Sequence, residues 1–138
     1  MIFNPKESLS FNGNTGPYLQ YTTSRISSML RKAAENPEWS QGSADLSLLT
    51  AEEEWEVLKT LGDFPRLVEQ AGEDLAPSLI TGGLYQIAKS FSRFYHDLPV
   101  LNAGDPELVK ARIGLSEAVL KVMKEGFELI NLPFLDKM

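Results

Sequence analysis

The chain contains no cysteine. That excludes a disulfide scaffold, a thiolate zinc site and a cysteine nucleophile, and it fits a reducing compartment. Histidine occurs once, at His96, so no multi-histidine metal centre can be assembled. No apolar run approaches the ~20 residues needed to span a bilayer. The first eight residues hold Pro5, Lys6 and Glu7 where a secretory signal needs its apolar stretch. No segment alternates apolar and polar residues for long, and there is no internal repeat or low-complexity tract. The expectation is a soluble, intracellular, unprocessed helical chain with no membrane partner.

What is present is a chain of 138 residues, a length that suits one domain able to bury roughly two-thirds of its unfolded surface. The formal net charge is −6, which on its own speaks against a polyanionic partner. The charge is unevenly spread. Residues 35–74 hold eleven acids and two bases (Lys59 and Arg66), whereas the remainder holds eight acids and eleven bases. Within 14–34 Arg25, Arg31 and Lys32 stand without a single acid. A polyanion therefore has a place to dock, in a weak field.

Proline and glycine divide the chain into helical blocks. Residues 1–13 read as an extended lead-in broken by Pro5 and Gly13. Thr15 can cap a helix with Pro17 in its first turn. Tyr18, Thr22, Arg25, Ile26, Met29, Leu30 and Ala33 then recur at three and four, a stripe of about five turns ending near Ala34. Residues 35–49 are rich in Ser, Gly, Pro and Asp and read as a loop. Thr50 and Glu53 have the spacing of a capping box, followed by a short helix with Trp55, Leu58 and Leu61 on one face. Gly62-Asp63-Phe64-Pro65 reads as a break, with Asp63 capping a further helix that buries Phe64, Leu67, Val68 and Ala71. Ala76-Pro77-Ser78 opens a helix to about Asp97 whose stripe runs Ile80, Leu84, Ile87, Ala88, Phe91, Phe94, Tyr95 and Leu98. Gly82-Gly83 inside it loosens that helix or admits a close neighbour. Asp105-Pro106 starts the last helix, with Leu108, Ala111, Leu115, Val119, Val122, Met123, Phe127 and Ile130 as its stripe and Pro133 as its stop. The fold class is all-α, a bundle of about five helices.

Few constellations carry chemistry. A di-metal bundle needs Glu-x-x-His pairs, but the residue three before His96 is Arg93. His96 and Asp97 are neighbours on a helix, about 100° apart, and are not expected to face each other. Gly13-Asn14-Thr15-Gly16 lacks the lysine and spacing of a phosphate loop. Glu52-Glu53-Glu54-Glu56 is a solvated first turn favoured by the helix dipole. Interleaved rings and bases are what single-stranded RNA recognition uses, and Phe91, Phe94 and Tyr95 lie near Lys89 and Arg93. Phe91 and Phe94 read as core, and Tyr95 is open between core and surface.

The segment Phe11 to Arg25, with Thr15-Gly16-Pro17-Tyr18, Gln20-Tyr21 and Arg25, resembles the motif by which arginyl-tRNA synthetases pass from the catalytic core into their C-terminal anticodon-binding helical domain. Asp63-Phe64-Pro65 resembles that family's helix break, Phe94-Tyr95-His96-Asp97 its Phe-Tyr-His-Asp, and Asp136-Lys137-Met138 its Glu-(Lys/Arg)-Met ending. The resemblance covers essentially the whole chain. It implies a class I synthetase anticodon-binding fold over 14–138, with 1–13 leading in from the catalytic core. It also implies a cytoplasmic parent enzyme that uses ATP and magnesium to attach arginine to its tRNA. No His-Ile-Gly-His-type or Lys-Met-Ser-Lys-type nucleotide signature occurs in the chain, so the resemblance implies a piece that binds the anticodon stem-loop, has no catalytic residue and binds no cofactor itself.

By the same resemblance, Tyr95 matches the tyrosine that packs on an anticodon-loop nucleotide, and Met138 the terminal methionine lining the same pocket. Tyr18, Gln20, Tyr21 and Arg25 match the first-helix motif joining the tRNA-facing surface to the catalytic domain; plain helix packing is the competing role for these four. Arg25 and Arg31 are candidates for phosphates, and Lys89, Arg93 and Lys121 are further candidates on charge alone. The chain departs from the family at Gly82-Gly83, where Asn-Tyr is usual, and at Asn131, where glycine is usual and asparagine can take the same left-handed cap. The expected partners are tRNA and the catalytic domain of the same enzyme. An acidic helical protein-interaction module is the alternative.

Overall fold

A computed structural model describes residues 15–40 and 44–136. The expected lead-in, 1–13, lies outside the described residues. Five α-helices follow one another: α1 (Thr15–Ala34), the single-turn α2 (Pro37–Ser40), α3 (Glu52–Glu73), α4 (Ser78–Asp97) and α5 (Pro106–Leu129), with a 3-10 turn at Leu46–Leu48 before α3. Among the described residues there is no strand, as the missing period-two alternation requires.

The core is one cluster. Leu19 and Ile26 of α1, Leu84, Ile87, Phe91 and Phe94 of α4, and Leu115, Val119, Met123 and Phe127 of α5 are buried there. Helix α5 touches every other element and α3 packs chiefly along α4. The close fit of α4 depends on two glycines. A Cβ on Gly83 would stand 2.9 Å from Leu67 Cδ1 and 3.0 Å from Phe64 Cδ1, and one on Gly126 would stand 2.5 Å from Leu84 Cδ2. Real Cβ atoms do not approach as closely as 2.9 Å or 2.5 Å, so glycine lets α3 meet α4 and α4 meet α5. Gly82 faces open space.

The helix ends follow local chemistry. Asp105 caps α5 by accepting from the Glu107 N–H at 3.0 Å. At its far end Asn131 takes the left-handed conformation (φ 57°), and the Leu132 N–H returns to the Phe127 carbonyl at 2.9 Å. That is a Schellman closure with asparagine in place of glycine.

Four expectations need correction. Residues 35–49 are not a plain loop, because they contain α2 and the 3-10 turn; the Asn36 carboxamide accepts from the Glu38 N–H at 3.0 Å and starts α2. The capping contact at α3 is displaced by one residue: Glu54, not Glu53, reaches back to the Ala51 N–H at 2.9 Å. The helix expected to break at Gly62–Pro65 runs unbroken from Glu52 to Glu73 with Pro65 inside it. Proline removes one backbone bond there, and the packing of Phe64 and Leu67 against Gly83 offsets the loss. Trp55 is not on the buried face. It is 66% exposed while Glu54, Val57, Phe64 and Ala71 point inward.

Candidate nucleic-acid interface

The rotation of α1 decides the site. Tyr21 and Arg25 are four residues apart and share a face. Across the helix pair, Tyr95 in the last turn of α4 lies against Phe91, ring centroids 5.9 Å apart, and remains 36% exposed. The Arg25 guanidinium carbon sits 4.5 Å from the centre of the Tyr95 ring and 5.6 Å from that of Tyr21. Its Nε is buried and donates no hydrogen bond, and among the described residues no carboxylate pairs with it. A guanidinium held between rings gains about 0.5–2 kcal/mol, while the unengaged part of its fork stays available to an anion.

Beside Tyr95 lies a groove of about 560 Å³, walled by the last turns of α1, by α2 and by the loop that follows α4. Met29, Trp39 and Leu101 give it apolar surface, and Lys32, Glu35 and Asn102 bring polar ends. Lys32 forms no ion pair among the described residues. Apolar walls with a few polar groups suit a planar heterocycle.

After α5 the chain doubles back along α1. Gln20 Nε2 donates to the Pro133 carbonyl at 2.9 Å, Ser24 Oγ to the Leu135 carbonyl at 2.7 Å, and Arg31 Nη1 pairs with Asp136 Oδ2 at 3.1 Å. Met138 lies outside the described residues. The tail is described as far as Asp136, on the same helix whose Arg25 covers Tyr95.

The structure thus brings Tyr95, Arg25 and Tyr21 together and places other candidates elsewhere. Tyr18 turns inward, its hydroxyl 3.1 Å from Ser92 Oγ and its ring 5.7 Å from that of Tyr85. Gln20 and Arg31 hold the tail, and Arg31 also donates to Ser28 Oγ at 3.1 Å. Lys89 and Arg93 line a second cleft, of about 520 Å³, between α3 and α4. Arg93 is engaged there by Glu56 at 2.8 Å and by Asp97 at 3.8 Å. The Glu56 hydrogen bond and charge raise its already high pKa. Lys121 is exposed on α5.

The expected separation of His96 and Asp97 does not hold. His96 Nδ1 lies 2.9 Å from Asp97 Oδ1, because two exposed side chains at a helix end can rotate toward each other. That hydrogen bond, followed by the charges of His96 and Arg93, holds the Asp97 carboxyl below its ordinary pKa. Among the described residues no three histidine, aspartate or glutamate side chains converge to hold a metal ion.

Trp39, Leu101 and Asn102 escaped the sequence reading, whereas Lys32 belongs to the acid-free basic stretch read there as a place for a polyanion. Trp39 and Asn102 lie between long helices, where no periodicity marks a face. A tryptophan inside an otherwise polar stretch was the one signal available for the first of them.

The family model for the DALR anticodon binding domain matches residues 19–138. The chain belongs to that family. It is 50% identical over its whole length to the arginine–tRNA ligase of Treponema pallidum and 51% identical to that of Treponema denticola, covering 24% of each. Against the arginine–tRNA ligase of Borrelia hermsii the identity is 43%, again over 24% of the relative. The DALR chain therefore spans about a quarter of the length of the curated relatives it matches. Among solved structures, the arginyl-tRNA synthetase of Thermus thermophilus superposes with a TM-score of 0.80 at 33% identity, over 99% of this chain and 23% of that one. These matches favour the anticodon-binding reading over an acidic protein-interaction module. No helix of the described residues is long and apolar enough to cross a membrane.

Proposed function

We propose that this DALR domain binds the anticodon stem-loop of an arginine tRNA, as the anticodon-binding part of a cytoplasmic arginine–tRNA ligase, and attaches no arginine by itself. The observation that carries the reading is the Arg25 guanidinium stacked on the half-open Tyr95 ring at the groove. An unstacked loop base finds an aromatic face and a flexible apolar wall there, and Arg25 and Lys32 meet the adjoining phosphates. Tyr95 stacks the base; Met138 is assigned to the same pocket on family resemblance. Tyr18 and Gln20 fix α1 and the tail, and Tyr21, 52% exposed, faces tRNA or the catalytic domain. Arg31 supports the tail through Asp136. Lys89 and Arg93, in the neighbouring cleft, add charge and touch no base. ATP and magnesium belong to the remainder of the parent enzyme, and no residue of this chain is assigned to them.

The test is a fluorescence-anisotropy titration of an arginine-tRNA anticodon hairpin at two salt concentrations. Binding should weaken as salt rises, because each neutralised phosphate adds to the slope. Tyr95→Ala should cost roughly 1–3 kcal/mol, the scale of one stacked base. Wild-type affinity in a folded Tyr95→Ala protein overturns the stacking role. Arginine attached to tRNA by this chain alone would overturn the non-catalytic part.

A further inference from the structure

Glu54 and Arg112 are the most deeply buried opposite charges among the described residues, with side chains 1% and 9% exposed. A buried ion pair is weak evidence for stability, since desolvation consumes most of the attraction. Its geometry here has a different consequence. Glu54 Oε1 accepts the Ala51 N–H at the start of α3, while Oε2 accepts Arg112 Nε at 2.9 Å. Arg112, on α5, then donates Nη1 to the Pro99 carbonyl at 2.6 Å. Pro99 opens the loop that carries Leu101 and Asn102 into the groove beside Tyr95, and Val100 between them is buried. Among the described residues the exposed Asn102 side chain has no hydrogen-bond partner, so its carboxamide is open to a ligand.

We infer that Arg112 is a positioning residue for the groove: locked against Glu54, it grips the Pro99 carbonyl and so fixes the loop that presents Asn102 to the edge of a base stacked on Tyr95. The inference rests on the anticodon-loop reading above and adds to it a reader of the base edge and the device that aims it. A carboxamide both donates and accepts, which suits the hydrogen-bonding edge of an unpaired base. The planar guanidinium fork serves two acceptors at once, which a lysine ammonium on a flexible stem does not reproduce.

A double-mutant cycle on the full chain tests this, with the anticodon hairpin as probe. Arg112→Lys keeps the charge facing Glu54 but loses the two-acceptor grip, and Asn102→Ala removes the reading group. Each should weaken binding by about 3–10-fold, and the double variant should be no weaker than the weaker single, because both remove the same contact. Helicity measured at the titration temperature shows that the proteins compared are folded. Effects that multiply, or a folded Arg112→Lys protein with wild-type affinity, overturn the inference. Backbone relaxation of the unmodified chain gives a second readout that needs no variant. Val100 to Asn102 should show order parameters near the rigid value of about 0.85, and values under about 0.6 would overturn a fixed loop. Tyr95→Ala separates the two readings. If it leaves binding unchanged, the groove reading falls and this inference with it; if it weakens binding while the cycle is multiplicative, only the positioning role falls.

Discussion

Two clefts of similar size flank the end of α4, about 560 Å³ beside Tyr95 and about 520 Å³ beside Arg93. Volume does not distinguish them; the state of their arginines does. In the α3–α4 cleft Arg93 is taken up by Glu56 and Asp97, with Asp63 also in the wall. Beside the Tyr95 groove Arg25 rests on two rings, and among the described residues neither Arg25 nor Lys32 pairs with a carboxylate, although Glu35 stands in the groove wall. A cation already neutralised must break that pair before it serves a phosphate, whereas a cation on a ring keeps its charge available. The acidic middle of the sequence explains the contrast. Helix α3 supplies Glu56 to Arg93 on one side, where Lys59 and Lys89 stay outside any ion pair among the described residues, and α1 brings arginine and lysine to the other side with no acid among its own residues.

Four substitutions break or sharpen that contrast. The largest effect is expected for Arg25→Ala, which removes both the cation over Tyr95 and a phosphate partner. Hairpin affinity should fall by about 2 kcal/mol, roughly 30-fold, in the same anisotropy titration, and an unchanged affinity would erase the difference between the clefts. Lys32→Ala should weaken binding less and reduce the salt slope by about 1, the signature of one lost phosphate contact. Arg93→Ala should leave the hairpin affinity within about 0.5 kcal/mol, since its charge is already committed. Thermal unfolding should move little, because the lost pair is at the surface and screened by solvent. A large loss of binding would instead place RNA on the α3–α4 side.

The smallest effect is electrostatic. Asp97 titrates below its ordinary value of about 3.9, so its contribution to stability is present above that pH and is lost as the pH falls through its lowered folded-state value. His96→Ala should raise the Asp97 midpoint in an NMR titration, because the hydrogen bond that leads the shift is gone. An unmoved midpoint would assign the shift to Arg93 instead.

Helices α1, α4 and α5 were legible because each buries a continuous stripe: in α4, Leu84, Ile87, Phe91 and Phe94 recur with the period that the fold uses. Asp105 and Asn131 could be read as caps from local chemistry alone. Pro65 could not be read correctly from local rules. It marks a helix stop in sequence, yet the partner that keeps α3 whole, Gly83, lies on the next helix and contributes only its missing side chain. Trp55 misled for a related reason, since hydrophobicity suggested burial while the register set by Val57 and Phe64 turned it to solvent. The site divides in the same manner. Family resemblance singled out Tyr95 and Arg25 separately, but the stacking of one on the other is a contact between residues seventy positions apart. Trp39 and Asn102 sit in segments with no period to betray their direction.

The backward path of the tail has a temporal consequence. Gln20 and Pro133 are joined across 113 positions, and Ser24 and Leu135 across 111. During synthesis from the N-terminus, α1 therefore emerges long before the strap that secures it, and closing so distant a pair carries the entropy of a long loop. The face of α1 that carries Gln20 and Ser24 reaches its finished form only once residues 133–135 have been synthesised, so a nascent chain that stops short of them leaves that face uncovered.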